Sequence, residues 1–449
     1  MRTLLAITLV LGTAITVFFV TKTPPTTTKE SRAKSSDSTM IVENIKLAQL
    51  NDVTVSQSKT VSAIDRVVLS PAEKNILSTT DKRFSQDTLI LLAEVNPPMW
   101  NNAKLQASDL FINQENAVKR IYVSYSMRGE PFIGAVQIIE IPTGLNVPKL
   151  LQTMIFTDFD IHSLTEKNGN LYLVGATSDA KFKTPAALEI IRLNNNGIIP
   201  LPLVSKRIDL PSFAAISVVK VRDQILVATG NKDGGIVEIN NPESIADGFH
   251  YYMDLNHTVH DLDDARYLDY TDTHIYAVRG TDAALWVMDR ASKTSQLIQL
   301  NGATIPESKS TVEISGDKIL LALGDGGTQI LDLQTLSPLE NIPQAPHEDS
   351  SLSVTNAATG VFKEVFTADG EGGANIFQFS PDGKLSQVAS MKFGTGKSVN
   401  AIKYFNSYLA MASGLGGVKI ARLFRTEASI ETAELTTYAD YLKRRLADD

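Results

Sequence analysis

The sequence predicts an all-β fold, a seven-bladed β-propeller, with a membrane-anchor or signal segment at the N-terminus and a short C-terminal helix. Three observations predict the propeller. A unit of two short apolar strands recurs seven times, its strands are rich in β-branched residues, and most copies carry glycines in the turn between the strands. The first apolar residues of successive units lie 43 to 54 residues apart, a spacing typical of four-stranded propeller blades. These marker residues are Ile121, Leu171, Ile225, Ile275, Ile319, Val365 and Tyr408.

Composition excludes several classes of function. The chain has 449 residues, a net charge of −8 and a pI near 5.4. Nucleic-acid binding needs a basic face to displace counterions, so we expect no nucleic-acid partner. There is no cysteine, which removes disulfides, thiolate metal sites and cysteine nucleophiles.

The N-terminal segment 1–21 predicts contact with a membrane. Residues 4–20 carry no charge and, as a helix, would span roughly 25 Å, slightly less than a ~30 Å hydrocarbon core. A retained signal-anchor, a cleaved signal peptide and a buried core helix are the alternatives, and the length of the apolar run favours the anchor. Residues 22–40, rich in Ser, Thr, Pro and Lys, predict a disordered tether. We expect the remainder to be extracytoplasmic, either periplasmic or on the cell surface.

The segment 41–114 precedes the repeats, which occupy residues 115–425. The last repeat has no outer strand after it, and an open ring would leave backbone edges unpaired. The stretch "DTLILLAEV" (87–95) is the first candidate for a ring-closing strand and 64–70 the second, with a separate N-terminal element as the alternative. Innermost strands are expected upstream of the markers, at 213–221, 263–270, 310–315 and 397–405.

The C-terminal tail, residues 426–449, predicts a helix. Its apolar side chains form one stripe at helical spacing, either to pack on the propeller rim or to dock a partner. The stripe consists of Leu435, Tyr438, Leu442 and Leu446.

The glycine-rich turns do not predict a nucleotide site. In "ALGDGGTQILDL" (322–333) the glycines precede a second strand, whereas a phosphate-binding loop precedes a helix. The stretch "FGTGKS" (393–398) has Met391 where a P-loop requires glycine. Positive φ angles in hairpins explain the glycines, and no nucleotide is expected.

The best repeats resemble the LVIVD repeat of bacterial and archaeal surface propellers. The matching stretches are "ILDLQTLSP" (330–338) and "VEINNP" (237–242), each following an Asp-Gly or Lys-Asp-Gly turn. The resemblance implies an extracytoplasmic propeller with a binding or scaffold role. It implies no shared catalytic residues.

A polar stretch at 253–274 is the candidate for a metal site. Imidazoles and carboxylates together suit zinc, iron or manganese, but no recognised ligand spacing is present. The favoured interpretation is a solvated loop that enters the blade, together with one polar strand, around an inner strand of the propeller. We expect no cofactor, with one divalent metal ion as the alternative. Its candidate ligands are His257, His260, Asp261 and Asp264.

If a ligand binds, the channel mouth is the expected place, because inner strands from all blades converge there. Residues that fill the channel in a structural role are the favoured interpretation. The candidate residues at the channel mouth are His162, Ser217, Arg266, Thr311, Thr355 and Asn400. The favoured function is a non-catalytic scaffold that binds a protein or a surface partner. The alternative is a metal-dependent, lactonase-like propeller hydrolase with an ion in the central channel.

Overall fold

A computed structural model describes most of the chain from residue 88 to residue 424. Within the described part there are 31 strands, three short 3-10 turns and no α-helix, and no helix there is long and apolar enough to cross a membrane. The segments 1–21 and 22–40, the stretch 64–70 and the tail 426–449 lie outside the described residues. The described ranges are 88–113, 118–127, 130–141, 148–230, 234–280, 282–300, 309–361 and 363–424.

Seven antiparallel sheets form seven blades, each with an inner, a second, a third and an outer strand, numbered β1 to β31 along the chain. The inner strands are β4 (Gln106–Asn113), β8 (Phe159–Lys167), β12 (Ser217–Val221), β17 (Ala265–Tyr270), β21 (Thr311–Ser315), β25 (Ala357–Val361) and β29 (Ala401–Phe405). The second strands are β5 (Lys119–Ser126), β9 (Asn170–Thr177), β13 (Gln224–Ala228), β18 (His274–Arg279), β22 (Lys318–Ala322), β26 (Glu364–Ala368) and β30 (Tyr408–Ala412). Successive inner strands contact each other, and β29 contacts β4, so the sheets form a ring.

The third and outer strands complete the blades. The third strands are β6 (Gly134–Ile141), β10 (Ala186–Arg192), β14 (Ile236–Asn240), β19 (Ala284–Asp289), β23 (Thr328–Asp332), β27 (Ala374–Phe379) and β31 (Val418–Phe424). The outer strands are β7 (Lys149–Phe156), β11 (Ser205–Asp209), β16 (His257–His260), β20 (Ser295–Gln299), β24 (Pro338–Ile342), β28 (Leu385–Met391) and β1 (Thr88–Val95). The remaining elements are β2 (Met99–Trp100), β3 (Ala103–Lys104), β15 (Gly248–Tyr251) and the 3-10 turns Pro242–Ser244, Tyr252–Asp254 and Ser350–Leu352.

The predicted propeller is confirmed, and each marker residue lies in the second strand of its blade. The turn glycines adopt the positive φ angles that hairpins need, for example 66° at Gly324 and 73° at Gly327. A Cβ on Gly327 would lie 2.1 Å from the carbonyl oxygen of Ile342, so this turn also requires a close backbone approach.

The N-terminal strand closes the ring. β1, which falls within the stretch 87–95, pairs antiparallel with β31 and supplies the outer strand of blade 7. Blade 1 begins at Gln106, nine residues before the predicted start of the repeats at residue 115. The repeated unit contains only the second and third strands of each blade, so it does not reveal the inner strand of blade 1. Buried apolar side chains of β1 (Ala93 and Val95) pack in one cluster with those of blades 1 and 7.

An insertion in blade 3 adds a strand to blade 2. The chain leaves β14 and forms β15, which pairs parallel with β11, before it returns to blade 3 as β16. Blade 2 therefore has five strands.

Candidate functional site

Bulges in three inner strands bring polar side chains to the propeller axis. In β4, the register of pairing with the second strand shifts between Ala107 and Asp109. β8 and β17 each have such a shift at the matching position near the start of the strand. Each bulge inserts one extra residue and turns the next side chain to a new direction. The three side chains that follow the extra residues, those of Asp109, Ser163 and Tyr267, meet in one cluster.

Asp109 is the centre of this cluster and is 1% exposed. Its Oδ2 accepts hydrogen bonds from Ser163 Oγ at 2.6 Å and Tyr267 Oη at 3.0 Å. Its Oδ1 accepts from the Leu110 amide at 3.0 Å and lies 3.5 Å from Lys309 Nζ. Burial lowers the pKa of Lys309 and raises the pKa of Tyr267. The negative charge of Asp109, which accepts the Tyr267 hydrogen bond, raises the pKa of Tyr267 further.

A second charged group lies beside the first. Lys403 Nζ donates to one oxygen of Glu313, and the hydroxyl of Thr359 donates to the other. The carboxylate of Asp269 accepts from the amides of Tyr270, at 2.8 Å, and Ile314, at 2.7 Å. Burial raises the pKa of Asp269 to about 6, and the nearby Lys403 opposes this shift.

These contacts cross the channel. Tyr267 joins blade 4 to blade 1, Lys309 joins blade 5 to blade 1, and Lys403 joins blade 7 to blade 5, so each contact links blades that are not neighbours. We call Asp109, Tyr267, Lys309, Glu313 and Lys403 the channel plug. The charges of the plug are paired with one another across the channel, and removal of one partner would leave the other charge uncompensated.

A cavity of about 280 Å³ lies against the plug. It extends to the end of the channel where the inner strands end, at Asn113, Lys167 and Tyr270. Tyr267 and Lys403 of the plug form part of its wall. The other polar and aromatic residues that line it are Phe111, Thr165, Glu166, Lys220 and Asp269.

The six predicted channel-mouth residues lie at or just before the start of an inner strand, and several of them join neighbouring blades. His162 and Arg266 are the extra residues of two bulges. His162 Nδ1 lies 3.1 Å from the carbonyl oxygen of Ala215, and Arg266 pairs with Asp264 at 2.8 Å.

The other four channel-mouth residues are held in the same way or are buried. Ser217 Oγ accepts from the Leu268 amide at 3.2 Å, and Asn400 Nδ2 donates to the carbonyl oxygen of Ala107 at 2.8 Å. Thr355 donates to Asp369 at 2.5 Å, and Thr311 is buried.

The predicted metal ligands do not meet. His257 and His260 lie on the outer strand β16 and not around an inner strand. The reason is that the insertion in blade 3 places the outer strand of that blade later in the sequence. His260 Nε2 lies 2.9 Å from Glu238 Oε2, and Asp264 pairs with Arg266, whereas Asp261 is exposed. Among the residues that the structure describes, no three His, Asp or Glu side chains are grouped so that they could hold a metal ion.

An aromatic surface lies at the outer edge of blade 2. Phe182, from the loop between β9 and β10, packs edge-on against Phe249 of β15, with ring centroids 4.9 Å apart. Phe249 packs edge-on against Tyr251 at 4.8 Å, and Lys183 Nζ lies 4.5 Å from the centre of the Tyr251 ring. The three rings are half-buried. We call Phe182, Phe249 and Tyr251 the blade 2 aromatic surface.

Sequence reasoning did not identify the plug or the aromatic surface. The plug contacts join residues that are 90 and 158 positions apart, so local spacing carries no signal for them. The aromatic residues lie in insertions that the repeat does not contain.

Comparisons with known proteins show the fold. No protein-family model matches the sequence, and no curated protein matches it. The WD40 repeats of RRP9 match in structure with a TM-score of 0.50 and 11% identity, over 76% of this chain and 98% of that chain. Virginiamycin B lyase from Staphylococcus aureus gives a TM-score of 0.49 and 12% identity, over 75% and 99% of the two chains. At 11% identity, the likeness to the RRP9 repeats shows the β-propeller fold and nothing further.

Proposed function

We propose that the chain is a non-catalytic binding propeller that engages a protein or envelope-surface partner through the blade 2 aromatic surface. The observation that carries this proposal is the meeting of two insertions at one edge of the ring. Phe182 comes from one insertion and Phe249 and Tyr251 come from the other. Aromatic residues are enriched at protein interfaces, and tyrosine is frequent among the residues that contribute most of the binding energy.

Two carboxylates of the channel plug, those of Asp109 and Glu313, favour a structural role over a catalytic one. A catalytic acid or base must reach a substrate, but Asp109 and Glu313 each hold hydrogen bonds or ion pairs from other side chains of the plug. The proposal therefore includes no cofactor. Metal analysis of the purified protein before and after chelation tests this part: a tightly held ion whose loss lowers the melting temperature would favour the metal-dependent hydrolase.

The proposed location is outside the cytoplasm, with the N-terminal segment as anchor. The uncharged stretch 4–20 and the tether-like composition of 22–40 support it, as does the resemblance to LVIVD-repeat propellers. Fractionation of cells that produce the full chain tests it, with protease added to intact spheroplasts. Recovery of the protein in the soluble cytoplasm would contradict it.

Site-specific crosslinking tests the binding surface. A photoreactive amino acid is placed at Phe249 and, in a matched control, at Leu339, which is 48% exposed on β24 of blade 5. We expect discrete crosslinked products from position 249 in cells, and none from position 339. Phe182→Ala should weaken the products from 249, because it removes the ring that packs against this side chain. Equal products from both positions would contradict the proposal.

A further inference from the structure

The channel cavity contains two charged groups with bonding capacity that the protein does not use. Asp269 accepts two backbone hydrogen bonds, one on each oxygen, and each oxygen keeps a second acceptor site. Lys403 Nζ makes one hydrogen bond, to Glu313, and keeps two further N–H groups. Both side chains line the cavity.

Two other charged groups at the cavity, Glu166 and Lys220, are held by partners of their own. Glu166 Oε1 accepts from the Gly169 amide at 3.0 Å, and its Oε2 accepts from Asn113. Lys220 Nζ lies 3.1 Å from Glu243 and donates to the carbonyl oxygen of Arg222. Asp269 and Lys403 are thus the groups most available to a ligand.

The charge around Asp269 favours a cation. In the plug, Lys309 pairs with Asp109 and Lys403 pairs with Glu313, so Asp269 adds a negative charge with no ion-pair partner in the described part of the chain. Asp269 is half-buried, and the nearby Lys403 is already paired with Glu313. Phe111, Tyr267 and Tyr270 also line the cavity, and an aromatic side chain can attract an ammonium group.

We propose that this cavity binds a small ammonium compound that also carries an oxygen acceptor, as amino alcohols and amino amides do. The ammonium group donates to Asp269, and the oxygen accepts from Lys403. The cavity volume of about 280 Å³ equals that of roughly nine waters, which suits a ligand of this size. Because both groups stand on inner strands and are held by backbone amides or by Glu313, the site is preorganised.

Calorimetry with simple probes tests the site on the full chain. The probes are ethanolamine and glycinamide, which carry both groups, ethylamine, which lacks the oxygen, and N-acetylethanolamine, which lacks the charge. We expect the first two to bind, ethylamine to bind more weakly, and N-acetylethanolamine not to bind. A purely structural role for Asp269 would not produce this order.

Variants separate the site from the rest of the fold. Asp269→Asn should weaken ethanolamine binding about ten- to a hundredfold, since it removes one charge-assisted hydrogen bond. Val219→Phe should also abolish binding, because it fills the cavity and leaves every charged group in place. Asp263→Asn, at an exposed acid just before β17, is the matched control and should bind as the wild type does. The proposal is overturned if no probe binds at millimolar concentration, or if both cavity variants bind normally.

Discussion

At the scale of the residue, the turn carboxylate of Asp369 is a buried acceptor for three side chains. It accepts from Thr355 Oγ1 and Thr367 Oγ1, both at 2.5 Å, and from Asn375 Nδ2 at 2.7 Å. Asp369 is 3% exposed, and burial raises its pKa. The carboxylate thus ties the turn of blade 6 to three neighbouring positions.

Removal of this carboxylate should destabilise the fold strongly. Asp369→Ala would leave three buried donors without their acceptor, and we expect a loss of about 3–5 kcal/mol in the free energy of unfolding. Urea denaturation measures it. Asp325→Ala is the matched control, because Asp325 is exposed in the equivalent turn of blade 5, and it should change stability by less than about 0.5 kcal/mol. Similar losses in the two variants would contradict this account.

The raised pKa of Asp269 makes stability depend on pH. The folded carboxyl titrates at about 6 and the unfolded one near ~3.9, so the folded state binds the proton more tightly. This contribution to stability is present at low pH and is lost as the pH rises from ~4 through about 6. The charged and titratable groups that act on Asp269 or are acted on by it are Lys403, Glu313, Tyr267 and Tyr276.

Asp269→Asn should flatten this pH dependence. Asparagine does not titrate, so the free energy of unfolding of the variant should change less than that of the wild type between pH ~4 and pH ~6.5, by up to about 3 kcal/mol. Denaturant titrations across this range measure the difference. Asp263→Asn, the exposed control, should keep the wild-type slope. An unchanged slope in Asp269→Asn would show that other groups set the pH dependence.

At the scale of the element, the hairpins were predictable and the inner strands were predictable only in outline. Positive φ at Gly324 and Gly327 is a local requirement, so the turn appears directly in the sequence as glycine. The inner strands were placed correctly at 213–221, 263–270, 310–315 and 397–405, because their apolar residues lie upstream of the markers.

The inner-strand bulges explain why the plug was missed. A bulge adds one residue, and one residue reverses the direction of each later side chain in a strand. The sequence pattern therefore indicates His162 and Arg266 as channel-mouth residues. The residues that follow them in the chain, Ser163 and Tyr267, are the ones that reach Asp109. A bulge of this kind has no fixed sequence signature, and its partners lie in distant blades.

At the scale of the whole molecule, two kinds of contact hold the ring. Neighbouring inner strands pack in sequence, and the plug joins blades across the axis. β1, from the N-terminal side of all seven inner strands, pairs with β31 and so completes blade 7, the last blade of the ring. Without β1, the long edge of β31 would be unpaired, and the apolar side chains of blade 7 that contact β1 would be exposed.

Ring closure should therefore be essential for cooperative folding. A chain that begins at residue 97 lacks β1, and we expect it to lose a single sharp thermal transition and to associate through the open edge of β31. A chain that begins at residue 41 keeps β1 and is the matched control, with one transition and a monomer on size-exclusion chromatography. A synthetic peptide of residues 87–96, added in excess, should partly restore the transition by binding in place of β1. If the shorter chain melts like the longer one, the packing of inner strands and the plug suffice to hold the ring.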